Sequence, residues 1–287
     1  MIIATGCIGS NKLLDEQLTT PIVLELRAVL GSTDLSTGEN RFTFALLNDR
    51  SSIVRASSAK LSLSYAGEKQ ATPHKTLTAS FIEWPHRDGG IFATNVDFPH
   101  SGIWLAEVSP SDGLSAGSFT RFSFEVNNNS STTPIGTLVP KTETKTTREV
   151  PLLSQLTSDP NPDPDLYKMS IAQAIETKKP LLLNFSTPAF CTSATCGPQL
   201  DMIKKLKNVY KDKINSIHVE IYENPHEMKG SYAEGIPSPV VKEWNLPTEP
   251  WTFIIDGQGR MFAKFEGFSS YEEIAKAIVL VLDQTDS

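Results

Sequence analysis

The chain has 287 residues, 39% hydrophobic and 21% charged, with 33 acidic against 26 basic side chains and a formal net charge of -7. That length suits two domains better than one, because single cores stop growing near about 250 to 300 residues. The acidic balance, with no basic patch, argues against nucleic acid or anionic lipid as the main partner, and the longest late apolar run, Ala277 to Leu282, falls far short of the roughly 20 residues that cross a bilayer.

At the N-terminus, Met1-Ile-Ile-Ala-Thr-Gly-Cys7 resembles the end of a bacterial lipoprotein signal peptide, with small residues immediately before a cysteine and Ala4 where such signals carry Leu. The resemblance implies a lipid anchor on Cys7, a tether over residues 1–20, and work at the cell surface or in the periplasm, where disulfides persist. Membrane contact would then be made through that anchor alone. The other reading is an unstructured tail with an incidental thiol.

From Pro21 to Val126 short alternating runs are broken by turn residues. The expected strands are Val23 to Leu30, Arg41 to Leu47, Lys60 to Tyr65, Thr76 to Ile82, Gly90 to Phe98, Ile103 to Val108 and Phe119 to Val126. Seven such strands predict an all-β immunoglobulin-like sandwich over residues 21–126, held by its core alone because no cysteine lies in it. His74, His86 and His100 each follow a proline and read as solvated loop residues rather than ligands, while Trp84 and Trp104 read as core or edge aromatics. Phe92 to Trp104 resembles the late strands of small extracytoplasmic β-sandwich modules, which gives the domain the role of a spacer or docking module.

Residues 127–165 change character. Asn127-Asn-Asn-Ser-Ser-Thr-Thr-Pro134, Lys141-Thr-Glu-Thr-Lys-Thr-Thr147 and Asp159-Pro-Asn-Pro-Asp-Pro-Asp165 offer nothing that buries a face, so the stretch reads as a linker stiffened by prolines, with Val150 to Leu156 as a short apolar clip. From Leu166 onward helix and strand alternate over residues 166–287. A helix capped by Ser170 ends before Pro180, strand Leu181 to Phe185 follows, and a helix runs to Tyr210 with Leu200, Ile203, Leu206 and Val209 on one face. Strand Ile217 to Ile221, a polar loop, a short helix at Val240 to Trp244, a hairpin of Trp251 to Asp256 with Arg260 to Phe265, and helix Tyr271 to Leu282 complete the order α, β, α, β, α, β, β, α.

Two of the three cysteines, Cys191 and Cys196, sit five apart between a strand and a helix. In a continuous helix such residues are about 140° out of phase and beyond disulfide reach. Pro198 argues against that helix, because its ring would meet the carbonyl of Ala194, so the regular helix is expected from Gly197 or Pro198 and residues 191–196 form a loop able to close. Cys196 then precedes a helix N-terminus, which favours a thiolate.

The element order, Asn184-Phe185 leading through Phe190 to Cys191, Cys196-Gly197-Pro198, and Glu249-Pro250-Trp251-Thr252-Phe253 together resemble the thioredoxin superfamily, in its extracytoplasmic thiol-disulfide branch. The resemblance covers about Leu166 to Leu282. It implies an α/β thioredoxin-like domain, a cis peptide before Pro250, and a substrate surface of Glu249, Pro250, Phe190 and Pro198. It also implies thiol-disulfide exchange with protein thiols or disulfides, an upstream redox partner, and no cofactor or metal. Gln199 stands where the family's second cysteine belongs, so the pair must be Cys191 and Cys196. Position relative to the strand favours Cys191 as nucleophile and Cys196 as resolving thiol; the helix-start argument favours the reverse.

Three other readings stay open. Thr187-Pro188 with cysteines five apart resembles a peroxiredoxin, although Asn184 and Pro188 occupy the places of its Pro and Thr and Arg260 is the only arginine after Arg148. Cys191, Cys196 and a distal histidine such as His218 or His226 would suit a copper chaperone. The pair would also serve as a structural disulfide.

Overall fold

The seven alternating stretches fold into β1 (Arg27–Leu30), β2 (Gly38–Leu47), β3 (Ser58–Tyr65), β4 (Lys75–Glu83), β5 (Gly90–Phe98), β6 (Gly102–Pro110) and β7 (Thr120–Val126). The computed structural model describes residues 25–67, 75–85, 88–113, 115–193 and 195–285, so Cys7 with its tail, His74 and His86 lie outside the described residues. Period-two alternation decides which side chains turn inward: Phe42, Phe44 and Leu46 on β2, Leu61 and Leu63 on β3, Phe92, Val96 and Phe98 on β5, and Trp104, Ala106 and Val108 on β6 share one buried cluster. Trp104 is core, as expected, and its indole N–H donates to the His100 carbonyl at 3.0 Å.

The strand order is β1-β2-β5-β4-β3-β6-β7. Cut between β4 and β3, it would yield the two halves of a constant-type immunoglobulin sandwich. That cut is absent, because β3 and β4 are paired in register from Ser58↔Ser80 to Leu63↔Lys75. Thr37 N–H donates to the Asn127 carbonyl and Asn127 N–H to the Leu35 carbonyl, both at 2.9 Å, which brings the β1–β2 connection against the end of β7. The result is one continuous antiparallel sheet curled nearly into a barrel. The expected two-sheet sandwich is therefore met only as seven antiparallel strands around one core: alternation specifies which face a residue takes, not which strands pair.

Beyond β7 the chain does not run free, which corrects the expectation that residues 127–165 bury nothing. Val139 and Leu156 are buried, and so are Thr142, Thr144, Thr146 and Thr157. Residues 141–146 alternate strictly, charged side chains out and threonines in. Ala172 N–H donates to the Thr142 carbonyl (3.0 Å), Val139 N–H to the Gly259 carbonyl (3.0 Å), and the Trp244 indole N–H to Thr142 Oγ1 at 2.9 Å. Hydrophobicity alone hides such a segment, because threonine fits an extended, half-buried backbone without raising it.

The strap wraps a four-stranded sheet of order β11-β10-β8-β9, built from β8 (Leu181–Ser186), β9 (Asn215–Glu220), β10 (Trp251–Ile255) and β11 (Met261–Glu266), with α1 (Ile171–Glu176), α2 (Cys196–Tyr210), α3 (Pro239–Glu243) and α4 (Tyr271–Thr285) around it. Central β8 runs parallel to β9 and antiparallel to β10, and all six of its residues are buried. Leu181, Leu183 and Phe185 join Ile171, Ala174 and Trp244 on one face. Leu182 joins Leu200, Ile203 and Leu206 of α2 and Ile274 and Ile278 of α4 on the other. Ser170 caps α1 as expected, its Oγ accepting from Gln173 N–H at 3.1 Å.

Candidate functional site

Strand β8 ends at Ser186, and a turn closed by Phe190 N–H to the Thr187 carbonyl (3.2 Å) delivers the chain to Cys191. Cys191 and Cys196 form a disulfide with Cα atoms 5.9 Å apart, inside the usual range for such bridges. Because α2 begins at Cys196, the cysteines are joined by a loop rather than a helical turn. Cys196 is fully buried and Cys191 partly exposed. The Cys196 N–H points at Cys191 Sγ (3.3 Å), and Ser193 Oγ lies 3.2 Å from the same sulfur. On reduction the first amide of α2 and the serine hydroxyl both favour a Cys191 thiolate. The start of α2, which in the sequence favoured Cys196, thus directs its amide at the sulfur of Cys191, the cysteine that strand position favoured.

The Glu249-Pro250 bond is cis, as expected. Pro250 is buried and its carbonyl accepts from Gly267 N–H at 2.8 Å. Burial pushes the Glu249 carboxyl above the usual carboxylate range, while hydrogen bonds from the side chain and backbone of Thr192, between the two cysteines, hold it partly down. Phe190 packs edge-on against Tyr222, ring centroids 6.4 Å apart. Pro198 sits half-buried in the first turn of α2. All six sequence-predicted site residues of this domain therefore gather at one end of the sheet.

Beneath them, on the α2 side of the sheet, lies a buried polar row that the sequence reading missed. Asn184 is in register with His218 on β9 and with Thr252 on β10. The Tyr167 hydroxyl is 2.7 Å from His218 Nδ1, His218 Nε2 is 3.0 Å from Ser186 Oγ, Ser186 Oγ donates to Asn184 Oδ1 (2.8 Å), and Asn184 Nδ2 donates to the Trp251 carbonyl (3.0 Å). Gln199 is fully buried, donating to Thr252 Oγ1 (3.3 Å) and accepting from Ser269 N–H (2.8 Å). Gln199 is thus a packing post between β10 and the 266–270 loop. Glu220 accepts from Ser158 N–H and Ser158 Oγ, each at 2.8 Å, and burial pushes its carboxyl up. Ser158 Oγ in turn accepts from Ala189 N–H (3.1 Å), tying the strap to the turn before Cys191. The sequence signal was there: polar residues at alternate positions, Asn184 and Ser186, His218 and Glu220, inside otherwise apolar strands.

Burial lowers the His218 pKa from 6.5 to about 4. Between those values the unfolded chain binds a proton that the folded chain refuses, so stability should fall by about 3 kcal/mol as pH drops through the window. Urea denaturation of His218→Gln should show that slope flattened; a slope equal to wild type would assign it to other groups. Both ring nitrogens of His218 are engaged, and among the described residues no three His, Cys, Asp or Glu side chains gather into a metal-holding group.

No family model matches this chain, and no curated protein matches it. Among solved structures it is similar to one described as thiol:disulfide interchange protein DsbE from Chlorobium tepidum, at 16% identity and TM-score 0.37, over 52% of this chain and 99% of that one. It is likewise similar to the C-terminal domain of a protein described as a thiol-disulfide oxidoreductase from Bacteroides thetaiotaomicron, at 16% identity and TM-score 0.35, over 53% and 98%. No helix among the described residues is long and apolar enough to cross a membrane.

Proposed function

We propose that the chain belongs to the thioredoxin superfamily and exchanges disulfides with protein thiols outside the cytoplasm, with the N-terminal sheet as an immunoglobulin-like module and Cys7 as a lipid anchor. The observation that carries this is the asymmetry of the pair: a disulfide at the end of the central strand whose exposed sulfur faces a helix amide and whose buried sulfur begins that helix. In the reducing direction the Cys191 thiolate attacks a substrate disulfide. One substrate sulfur leaves as thiolate, and the other stays joined to Cys191. Cys196, giving up its proton, then attacks Cys191 Sγ and expels the second sulfur, so the substrate gains two electrons and the Cys191–Cys196 bond forms. The oxidising direction is the reverse, and in either an upstream redox partner restores the starting state. Glu249 offers its backbone to the substrate beside the cis Pro250, flanked by Phe190 and Pro198.

Against a peroxidase, Arg260 donates to the Gly136 carbonyl at the β10–β11 turn, the end of β10 remote from the cysteines. Against copper delivery, His218 has no free nitrogen. The structural-disulfide reading is tested by a thiol-disulfide titration: a working pair has a potential above about -300 mV, a structural bridge one below it. Cys196→Ser should then trap partners as mixed disulfides on Cys191. A potential below that boundary, with no trapped species, would sink the proposal.

A further inference from the structure

We propose that Arg41, on β2 of the N-terminal sheet, is a positioning residue for the redox site, acting through the 266–270 loop that holds Pro250 and Gln199. The proposal rests on the exchange reading above, and it gives the N-terminal sheet a part in the site in place of a spacer's role. The Arg41 side chain is only 8% exposed. Its guanidinium grips Glu273 with two bonds, Nε to Oε1 at 2.8 Å and Nη2 to Oε2 at 3.1 Å. It also donates to two backbone carbonyls, Glu266 at 3.1 Å through Nη1 and Phe268 at 3.0 Å through Nη2. Only a planar fork makes these bonds together; a lysine ammonium is a point charge without that geometry.

The amides between those carbonyls point the other way. Gly267 N–H donates to the Pro250 carbonyl and Ser269 N–H to Gln199 Oε1, each at 2.8 Å. Along five residues, the carbonyls of 266 and 268 face the N-terminal sheet and the amides of 267 and 269 face the site. Gly267, at φ +70°, allows the bend between them. Glu273, which Arg41 grips, also caps α4 by accepting from Ser270 N–H at 2.9 Å. A second tie runs parallel: the Glu266 carboxylate accepts from Thr33 N–H and from Thr248 Oγ1, each at 2.7 Å, joining the N-terminal sheet to the residue just before Glu249-Pro250. A buried arginine is weak evidence for stability, but its desolvation is offset only while its partners stay in place, which couples the loop to the N-terminal sheet.

The test uses the full chain. In Arg41→Ala, amide hydrogen exchange at Gly267 and Ser269 should speed up by at least about tenfold, reporting local opening of the loop. The kcat/KM for exchange with a disulfide-bonded peptide should fall by about tenfold, through KM, since small displacements of a positioned element cost up to about a hundredfold. Reduction by dithiothreitol, which needs no backbone from Glu249, should stay within about twofold. Arg41→Lys keeps a charge for Glu273 without the fork and should fall between, which also serves if the alanine variant does not fold. Arg55→Ala, in the β2–β3 connection of the same domain and paired with exposed Glu83 and Asp88, should change neither readout. Folded Arg41 variants with unaltered Gly267 and Ser269 exchange, or with faster exchange but unaltered peptide kcat/KM, would overturn the proposal. If wild type exchanges no disulfide while Arg41→Ala still speeds those amides, the exchange reading fails and the clamp stands.

Discussion

Replacing Cys191 by serine is expected to lower disulfide exchange by at least about a thousandfold, the scale of loss when a covalent nucleophile is removed. Serine forms no disulfide, and its hydroxyl stays protonated at neutral pH. Cys196 cannot substitute, because it is fully buried behind the loop. Replacing Cys196 should do something different: Cys191 still attacks, but nothing resolves the product, so covalent adducts accumulate instead of turnover. The assignment can be read without a substrate. In the reduced protein Cys191 should alkylate first, with an apparent pKa below the ordinary thiol value of about 8.5, since the Cys196 N–H and Ser193 hydroxyl both stabilise its charged form. If Cys191→Ser keeps the fast-alkylating thiol and Cys196→Ser loses it, the two roles are reversed.

What the sequence disclosed follows from which forces leave local traces. Alternation in Phe42-Thr-Phe-Ala-Leu46 and Leu61-Ser-Leu-Ser-Tyr65 reveals strands because each residue's face is fixed by its own neighbours. Pro198 reveals where α2 begins because its ring acts within one turn, and Glu249-Pro250 marks a bond where cis is cheap. Pairing leaves no such trace. Nothing in Ser58 to Leu63 states that β4 continues the sheet rather than ending it, so a curled sheet read as a sandwich. The strap failed for another reason: Thr142, Thr144 and Thr146 are buried without being hydrophobic, and composition read them as solvated. Arg41 stands at the start of a predicted strand like any surface arginine, and its partners lie more than two hundred residues away. The buried polar row was half legible, as Asn184 and His218 in apolar strands, but its closure required Tyr167 and Ser186 to meet them.

Replacing Asp34 by alanine should destabilise the protein by about 3 to 5 kcal/mol, the cost of leaving a buried charge without its partner. The Asp34 side chain is 1% exposed and stands where the N-terminal sheet meets the strap and β11. Its carboxylate accepts from Ser130 Oγ (2.5 Å), Ser131 N–H (2.6 Å), Ser131 Oγ (2.9 Å) and Thr132 Oγ1 (2.6 Å), and pairs with Lys264 Nζ at 3.2 Å. Burial raises its pKa, but the hydroxyl bonds from Ser130 and Thr132, the Lys264 charge and the Ser131 amide outweigh burial and hold it well below the usual carboxylate range. Alanine therefore strands the Lys264 ammonium, itself 14% exposed, and several donors together. Asp34→Asn keeps the shape and one acceptor oxygen but removes the charge and turns the other oxygen into a donor, so its cost should be smaller than that of alanine, about 1 to 3 kcal/mol. The pH dependence separates charge from shape. Because the folded pKa is depressed, the charge contributes fully above the unfolded value near 3.9 and is lost as pH falls below it toward the folded value. The stability difference between wild type and Asp34→Asn, measured by urea denaturation, should be constant from about pH 5 upward and shrink below about pH 4. A difference that stays constant through that range, or an alanine variant within about 1 kcal/mol of wild type, would mean that the cluster does not bind the sheet to the strap and β11.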